Sequence, residues 1–180
     1  MAVPALTEFE RVVLPHLDAA HNLARWLVRD AALADDIVQD AALRAFGYFG
    51  SFRGGDARAW LLRIVCNVAY GALAARQRGG TISLDGAGPH AGDVHPALRV
   101  ADPARDPEAA LNHCEGFTQL EQALAALPAE LRECLVLREL EELSYKEISH
   151  VIEAPVGTVM SRLWRARRAM LGSKADEGGP

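Results

Sequence analysis

Residues 79–107 are built mainly from glycine, proline, aspartate and alanine, and they follow neither a helical nor an alternating period. A stretch that long without a structural pattern is uncommon inside one compact domain. It predicts a chain divided in two, with a flexible acidic linker between the parts. The 180 residues suffice for two small domains, and with 50% hydrophobic residues each part can bury a core. The expected division is a domain over 1–78, a linker over 79–115, a domain over 116–172 and a disordered tail over 173–180. The linker reads either as a loop with no role of its own or as a segment that runs through a groove on a partner.

Charge follows the same division. A net charge of −5, taken alone, argues against a nucleic-acid partner. Residues 1–78 nevertheless sum to +1, 79–115 to −4 and 116–180 to −2. Arg162, Arg165, Arg167 and Arg168 also fall within seven positions that hold no acid. Screening confines a charge's field to about 8–10 Å, so a local basic stripe matters more than the total.

Several function classes drop out. No run approaches the roughly 18 apolar residues of a spanning helix, and the first residues lack a signal-peptide pattern. The chain is therefore expected to be soluble and cytoplasmic, with no membrane insertion. Cys66, Cys114 and Cys134 are odd in number, far apart and without metal-ligand spacing. Neither a disulfide scaffold nor a zinc site is expected, and no other cofactor is implied. No nucleophile–base pair or phosphate loop is visible, and Gly54-Gly55 alone is no cradle, so the chain does not read as an enzyme.

In the first block, Thr7 and Glu10 fit a capping box ahead of Phe9, Val13, Leu17, Ala20, Leu23, Ala24 and Leu27 at steps of three or four. This predicts one helix to about Arg29, with a possible bend at Pro15. A second helix is expected over about Ala34–Phe46, with Ile37, Ala41 and Ala45 buried. Asp36, Gln39, Asp40 and Leu43 share its other face. A third begins at Asp56 and runs to about Gln77, burying Trp60, Leu61, Ile64, Val65, Val68 and Ala72. Between the second and third helices, residues 46–55 hold four aromatics and four glycines. Judged alone, the Asp36 face reads equally as a solvated helix face, and the rings as plugs over a small core.

In the last block, Leu120, Leu124 and Leu127 predict a short helix stopped at Pro128, and Ala129–Leu140 predicts another. Cys134 lies on the apolar stripe of the latter and reads as a small core residue. Ser144 and Glu147 form a capping box for a two-turn helix that ends at Glu153-Ala154-Pro155. A longer helix follows over about Val156–Leu171. A short helix, a tight turn and a longer helix make a helix-turn-helix. At 100° per residue, Val156, Val159, Leu163, Ala166 and Met170 fall in an arc of about 80°, the expected buried side. Thr158, Ser161, Arg162, Arg165 and Arg168 lie opposite, where arginine can read guanine and hydroxyls can contact bases or phosphate. The same face also suits a solvated, arginine-rich helix end. The fold class is thus all-α: two small helical domains on a flexible linker, the second with a helix-turn-helix.

The stretch Leu143-Ser144-Tyr145-Lys146-Glu147-Ile148, followed by Ala154-Pro155-Val156-Gly157-Thr158-Val159-Met160-Ser161-Arg162-Leu163-Trp164-Arg165, resembles the −35-reading domain of extracytoplasmic-function (ECF) sigma factors, a group of the bacterial sigma-70 family. Ala34-Asp35-Asp36-Ile37-Val38-Gln39-Asp40 and Phe52-Arg53-Gly54-Gly55-Asp56-Ala57-Arg58-Ala59-Trp60 resemble their other domain. The likeness covers about residues 8–78 and 117–171, in the family's order. It implies that Asp36, Gln39, Asp40 and Leu43 dock on core RNA polymerase. It further implies that Phe52, Arg53, Arg58, Arg63 and Asn67 capture the unpaired −10 strand, where a flipped base gains stacking and edge hydrogen bonds. Thr158, Ser161, Arg162, Arg165 and Arg168 would read the −35 duplex of promoter DNA. An anti-sigma factor is the implied regulatory partner, and the acidic linker would cross the enzyme near its RNA exit. Many relatives carry Lys or Arg where this chain has Met160, which removes one phosphate contact.

Two other readings compete. A sigma-like decoy would bind an anti-sigma factor without initiating transcription, but it needs no arginine stripe. An ordinary helix-turn-helix repressor leaves residues 8–78 without a role.

Overall fold

The computed structural model describes residues 3–78 and 118–175. The expected linker, Cys114 and most of the expected tail lie outside the described residues. The described elements are helical, with no strand among them. In chain order they are α1 (Val3–Val13), α2 (Leu17–Val28), α3 (Ala31–Tyr48), α4 (Ala57–Arg78), α5 (118–126), α6 (Ala129–Glu139), α7 (Tyr145–Val151) and α8 (Val156–Ala175).

Local chemistry explains most boundaries. The predicted first helix is broken: Pro15 sits in a single 3-10 turn, Leu14–His16, that separates α1 from α2. Proline lacks the N–H that an uninterrupted helix would need there. The Thr7–Glu10 capping box does not form, because α1 begins at Val3 and Thr7 lies inside it. α3 starts earlier than expected because Asp30 caps it, accepting from the Leu33 N–H at 3.1 Å. Asp56 accepts from the Ala59 N–H at 3.1 Å and starts α4 as predicted. Pro128 precedes α6.

The N-terminal module is the packing of α2, α3 and α4 on one another. Leu23, Ile37, Leu61 and Leu62 are among its fully buried side chains. Burying a Leu or Ile side chain stabilises by about 1.5–3 kcal/mol relative to leaving it in water. The C-terminal module packs α6 and α7 on α8 around Leu137, Ile148 and Leu163. Val156, expected on the buried side, is instead 40% exposed in the first turn of α8. The other members of that side fit, with Val159, Leu163 and Ala166 buried and Met170 half-buried.

The modules also touch. α2 packs on α6, and α4 packs on α7. Buried Arg132 of α6 donates to the Trp26 and Leu27 carbonyls at the end of α2, at 2.8 and 3.2 Å. It donates also to the Leu127 carbonyl at 2.9 Å. A helix end leaves its last carbonyls without intrahelical donors and carries partial negative charge, so a guanidinium there is doubly favourable.

Candidate polymerase and nucleic-acid interfaces

Three surfaces carry the residues singled out in the sequence. The first is the outer face of α3. Asp36 and Gln39 are exposed, and Leu43 beside them is 72% exposed. Asp40 is half-buried and held by Arg44 one turn on, whose Nε and Nη2 donate at 3.0 and 2.9 Å. That pairing raises the Arg44 pKa and fixes the Asp40 carboxylate along the helix. Leu43 is the most exposed of the large apolar side chains described in this module, where Leu14, Phe46 and Tyr48 are also open.

The second surface is the loop before α4 together with the start of that helix. Phe9 sets its ring edge-on against Phe46 and Phe49, at 5.2 and 5.4 Å between centroids. Phe49 stacks on Phe52 at 6.0 Å, and Phe52 leans on Trp60 at 5.0 Å. The rings therefore interlock as a small aromatic cluster, and Phe52 is half-buried rather than free. Beside them opens a cavity of about 630 Å³ lined by Phe46, Phe49, Phe52, Gly54 and Gly55. Gly54 and Gly55 have φ of +84° and +104°, a region other residues rarely adopt, so the sharp turn depends on them. Arg53 is exposed at this rim. Arg58 and Arg63 are not free: Arg58 donates to Glu141 and Arg63 to Glu153, both acids of the C-terminal module. Asn67, one turn further along α4, is exposed and lines a smaller hollow between the modules.

The third surface is α8. Its approach is fixed by α7, whose capping box forms as predicted. The Glu147 N–H donates to the Ser144 Oγ at 3.3 Å, and Glu147 Oε2 accepts from the Ser144 N–H at 2.7 Å. These hydrogen bonds to Ser144 hold the Glu147 carboxyl below the usual carboxylate range. The turn closes on Glu153 with φ +53°, and the Ser149 hydroxyl donates to the Ala154 carbonyl at 2.6 Å. On α8, Ser161 and Arg165 are exposed, Thr158 is half-buried, and Arg168 lies over the Trp164 ring at 5.2 Å. Arg162 differs from its neighbours. Its side chain is only 18% exposed and turns back to Glu130 of α6 at 3.1 Å. Arg167 pairs with Glu139 at 2.7 Å. Ser161, Arg165 and Arg168 are the site residues of this helix that face outward in this arrangement.

Sequence reading missed the polar cluster between the modules. Glu133 of α6 is 2% exposed and accepts from the Tyr70 hydroxyl of α4 at 2.9 Å, with the Cys66 thiol beside it. Burial raises the carboxyl pKa of Glu133, and burial with this neighbour raises those of Tyr70 and Cys66. Cys134 is buried as expected, and burial pushes its thiol up to about 11, away from reactivity. No local signal marks Arg132 or Glu133: at 100° per residue they fall off the stripe of Leu131, Cys134 and Leu135, where solvated side chains would also lie.

Among the described residues no group of three or more His, Cys, Asp or Glu could hold a metal ion. Among them, too, no helix is long and apolar enough to cross a membrane.

Comparison with known proteins gives matches over both modules. Residues 12–79 match the family described as Sigma-70 region 2, and residues 117–170 match Sigma-70, region 4. The chain is 37% identical over 166 residues to the RNA polymerase sigma-H factor of Pseudomonas aeruginosa, covering 90% of this chain and 83% of that one. It is 34% identical over 154 residues to the ECF RNA polymerase sigma-E factor of Escherichia coli, covering 83% and 79%. A solved structure of the sigma factor RpoE in complex with the anti-sigma factor NepR from Bartonella quintana superposes with a TM-score of 0.69 at 26% identity, covering 91% of this chain and 94% of that one. CnrH, solved in complex with the cytosolic domain of CnrY, shares the fold at a TM-score of 0.62 and 23% identity. Two matched regions in order, and relatives similar over most of both lengths, place the chain: it belongs to the sigma-70 family of RNA polymerase sigma factors, in the extracytoplasmic-function group.

Proposed function

We propose that this chain binds core RNA polymerase and directs it to promoters by contacting both the −10 and the −35 elements, under the control of an anti-sigma factor. The observation that carries the reading is the pairing of an arginine-bearing helix-turn-helix with a separate arginine-bearing aromatic loop. A single-site repressor requires only the first of these. In this reading Leu43, Asp36, Gln39 and Asp40 dock on the polymerase, which would put the protein's work in the cytoplasm. Arg53, Arg58, Arg63, Asn67 and the ring of Phe52 hold the unpaired −10 strand. Ser161 and Arg165 contact the −35 duplex, with Thr158 near the N-terminal end of α8 and Arg162 and Arg168 on phosphate. Two modest contacts made through one polymerase gain from effective concentration, so neither need be tight alone. The RpoE–NepR and CnrH–CnrY complexes support a protein inhibitor as partner. The division at 1–78, 79–115 and 116–172 is the organisation this function requires, with the acidic segment spanning the enzyme between the two elements.

Run-off transcription with core polymerase on a library of genomic fragments tests the proposal. New start sites that vanish on scrambling either element support it. A chain that binds polymerase and starts nothing refutes it.

A further inference from the structure

The outward side of α8 carries open apolar side chains among its arginines. Met160 is 53% and Trp164 59% exposed, and Val156 is open one turn before them. The three stand four residues apart, so they form one line along the first half of the helix. Single exposed apolar residues are ordinary on a surface, but a contiguous line of three marks a face that meets something. At 100° per residue Trp164 lies about 60° from Ser161, and Gly157 falls between them. A Cβ added at Gly157 would meet nothing within 4 Å, so packing inside the chain does not require the bare backbone there. That space is left to whatever approaches from outside. The charge around the line says what that is. From Val156 to Ala175 the helix holds no acid, while Arg165, Arg167, Arg168 and Lys174 all lie on it. Arg168 stacks over the Trp164 ring at 5.2 Å, which steadies the ring and keeps a cation at its side. Such a face suits a polyanion with an apolar feature, rather than the apolar groove of a protein.

In the major groove of DNA one apolar group projects from the base edges, the C5-methyl of thymine; the other readable groups there donate or accept hydrogen bonds. An apolar side chain laid on a donor or acceptor strips its water and returns no bond. Laid on the methyl, it takes two apolar surfaces out of water together. We propose that Met160 and Trp164 are specificity-determining residues of the −35 contact: they seat on thymine methyl groups beside the base edges met by Ser161 and Arg165, and they select thymine by that methyl. The inference rests on the proposed −35 role of α8, and the test separates the two. Trp164 lies nearer the middle of the face and offers a broad, held surface. Met160 lies at the flank, where an unbranched thioether adapts to the methyl it finds. Met160 thus has a role of its own in place of the phosphate contact that a lysine or arginine would make.

The experiment uses the full chain bound to core polymerase and a promoter duplex recovered by the run-off screen. Each thymine of the −35 element, on either strand, is replaced in turn by deoxyuridine, which lacks the methyl and keeps every hydrogen-bonding group. The expected result is a loss of affinity of about fourfold at one or two positions, the factor for one buried methyl-sized group. Trp164→Ala and Met160→Ala, both at open positions, should keep the wild-type melt, and each should abolish the loss at one position. Met160→Lys should abolish it likewise while steepening the salt dependence of binding. Leu140→Ala removes an exposed apolar side chain at the end of α6 and should leave the wild-type pattern unchanged. Equal affinity for thymine and deoxyuridine at every position refutes the inference, as does a −35 element without thymine on either strand. The −35 role of α8 still stands in both cases, provided that scrambling the element abolishes binding. A deoxyuridine penalty that survives in both alanine variants refutes the assignment to these residues. Binding that is indifferent to scrambling removes the −35 role and the inference with it.

Discussion

The capping box of α7 offers a quantitative test of how the helix-turn-helix is held. α7 has seven residues, so its first turn is a large part of it. The two bonds of the box are unequal: the Ser144 Oγ accepts at 3.3 Å, while the Glu147 carboxylate accepts at 2.7 Å. Short charge-assisted bonds are about twice as strong as neutral ones. Ser144→Ala should therefore cost about 0.5–1 kcal/mol, the lower half of the range for an N-cap. Glu147→Ala should cost about 1.5 kcal/mol, the low end for a bond to a charged group because the site is partly wet. Glu147→Gln should fall between them. Each kcal/mol moves the melting temperature of a domain this small by about 4–8 °C. The Glu147 contribution also carries a pH signature. Its carboxyl sits below the ordinary 4.5 when folded, so the stabilisation is complete above that pH and is lost as pH falls through the folded value. Thermal melts by circular dichroism between pH 3 and pH 7, for wild type and the three variants, read all of this. A larger loss for Ser144→Ala than for Glu147→Ala, or a Glu147→Gln variant with the acid dependence of wild type, would refute the reasoning.

Other outcomes follow from the same coordinates. Leu43→Asp, at a 72%-exposed position, should leave the melt unchanged and cut retention on immobilised core polymerase by tenfold or more, about 1.4 kcal/mol; full retention would remove α3 as the docking face. Asp40→Arg should weaken the same retention and break the pair with Arg44, read in the same pull-down. Arg165→Ala should lower affinity for the promoter duplex by about 1–3 kcal/mol if the side chain reads a base; an equal loss on scrambled −35 DNA would show that it touches only phosphate. Leu163→Ala, at 1% exposure, should cost about 2–5 kcal/mol and melt the C-terminal module before the N-terminal one, seen as a split thermal transition.

Much of the fold is legible because its signals are local. Asp56, Pro128, Ser144 with Glu147, and Pro155 each act within a turn of themselves, and each marks a boundary in the structure. The Thr7–Glu10 pair failed for the same reason. Nothing local distinguishes a capping box from the same residues inside a helix that has already begun. Val156 failed because the wheel assigns an angle and not a depth, and a first turn can project past its neighbours. The candidate site was legible in type and less so in pairing. Spacing put Arg162 with Arg165 and Arg168, but its reach back to Glu130 depends on how α8 lies across α6. The contact between the modules was invisible altogether. Arg132, Glu133 and Glu141 meet partners 106, 63 and 83 positions away, and no periodicity carries information over such separations.

The long reach of Arg132 sets an order of events at birth. α2 is synthesised before the guanidinium that covers its last carbonyls, so water must serve them first. From residue 78 to residue 132 a ribosome takes roughly 3–10 seconds at about 5–20 residues per second. Throughout that interval the nascent front half has no counterpart to fold against. Every copy thus begins life undocked, and shutting is something it does later.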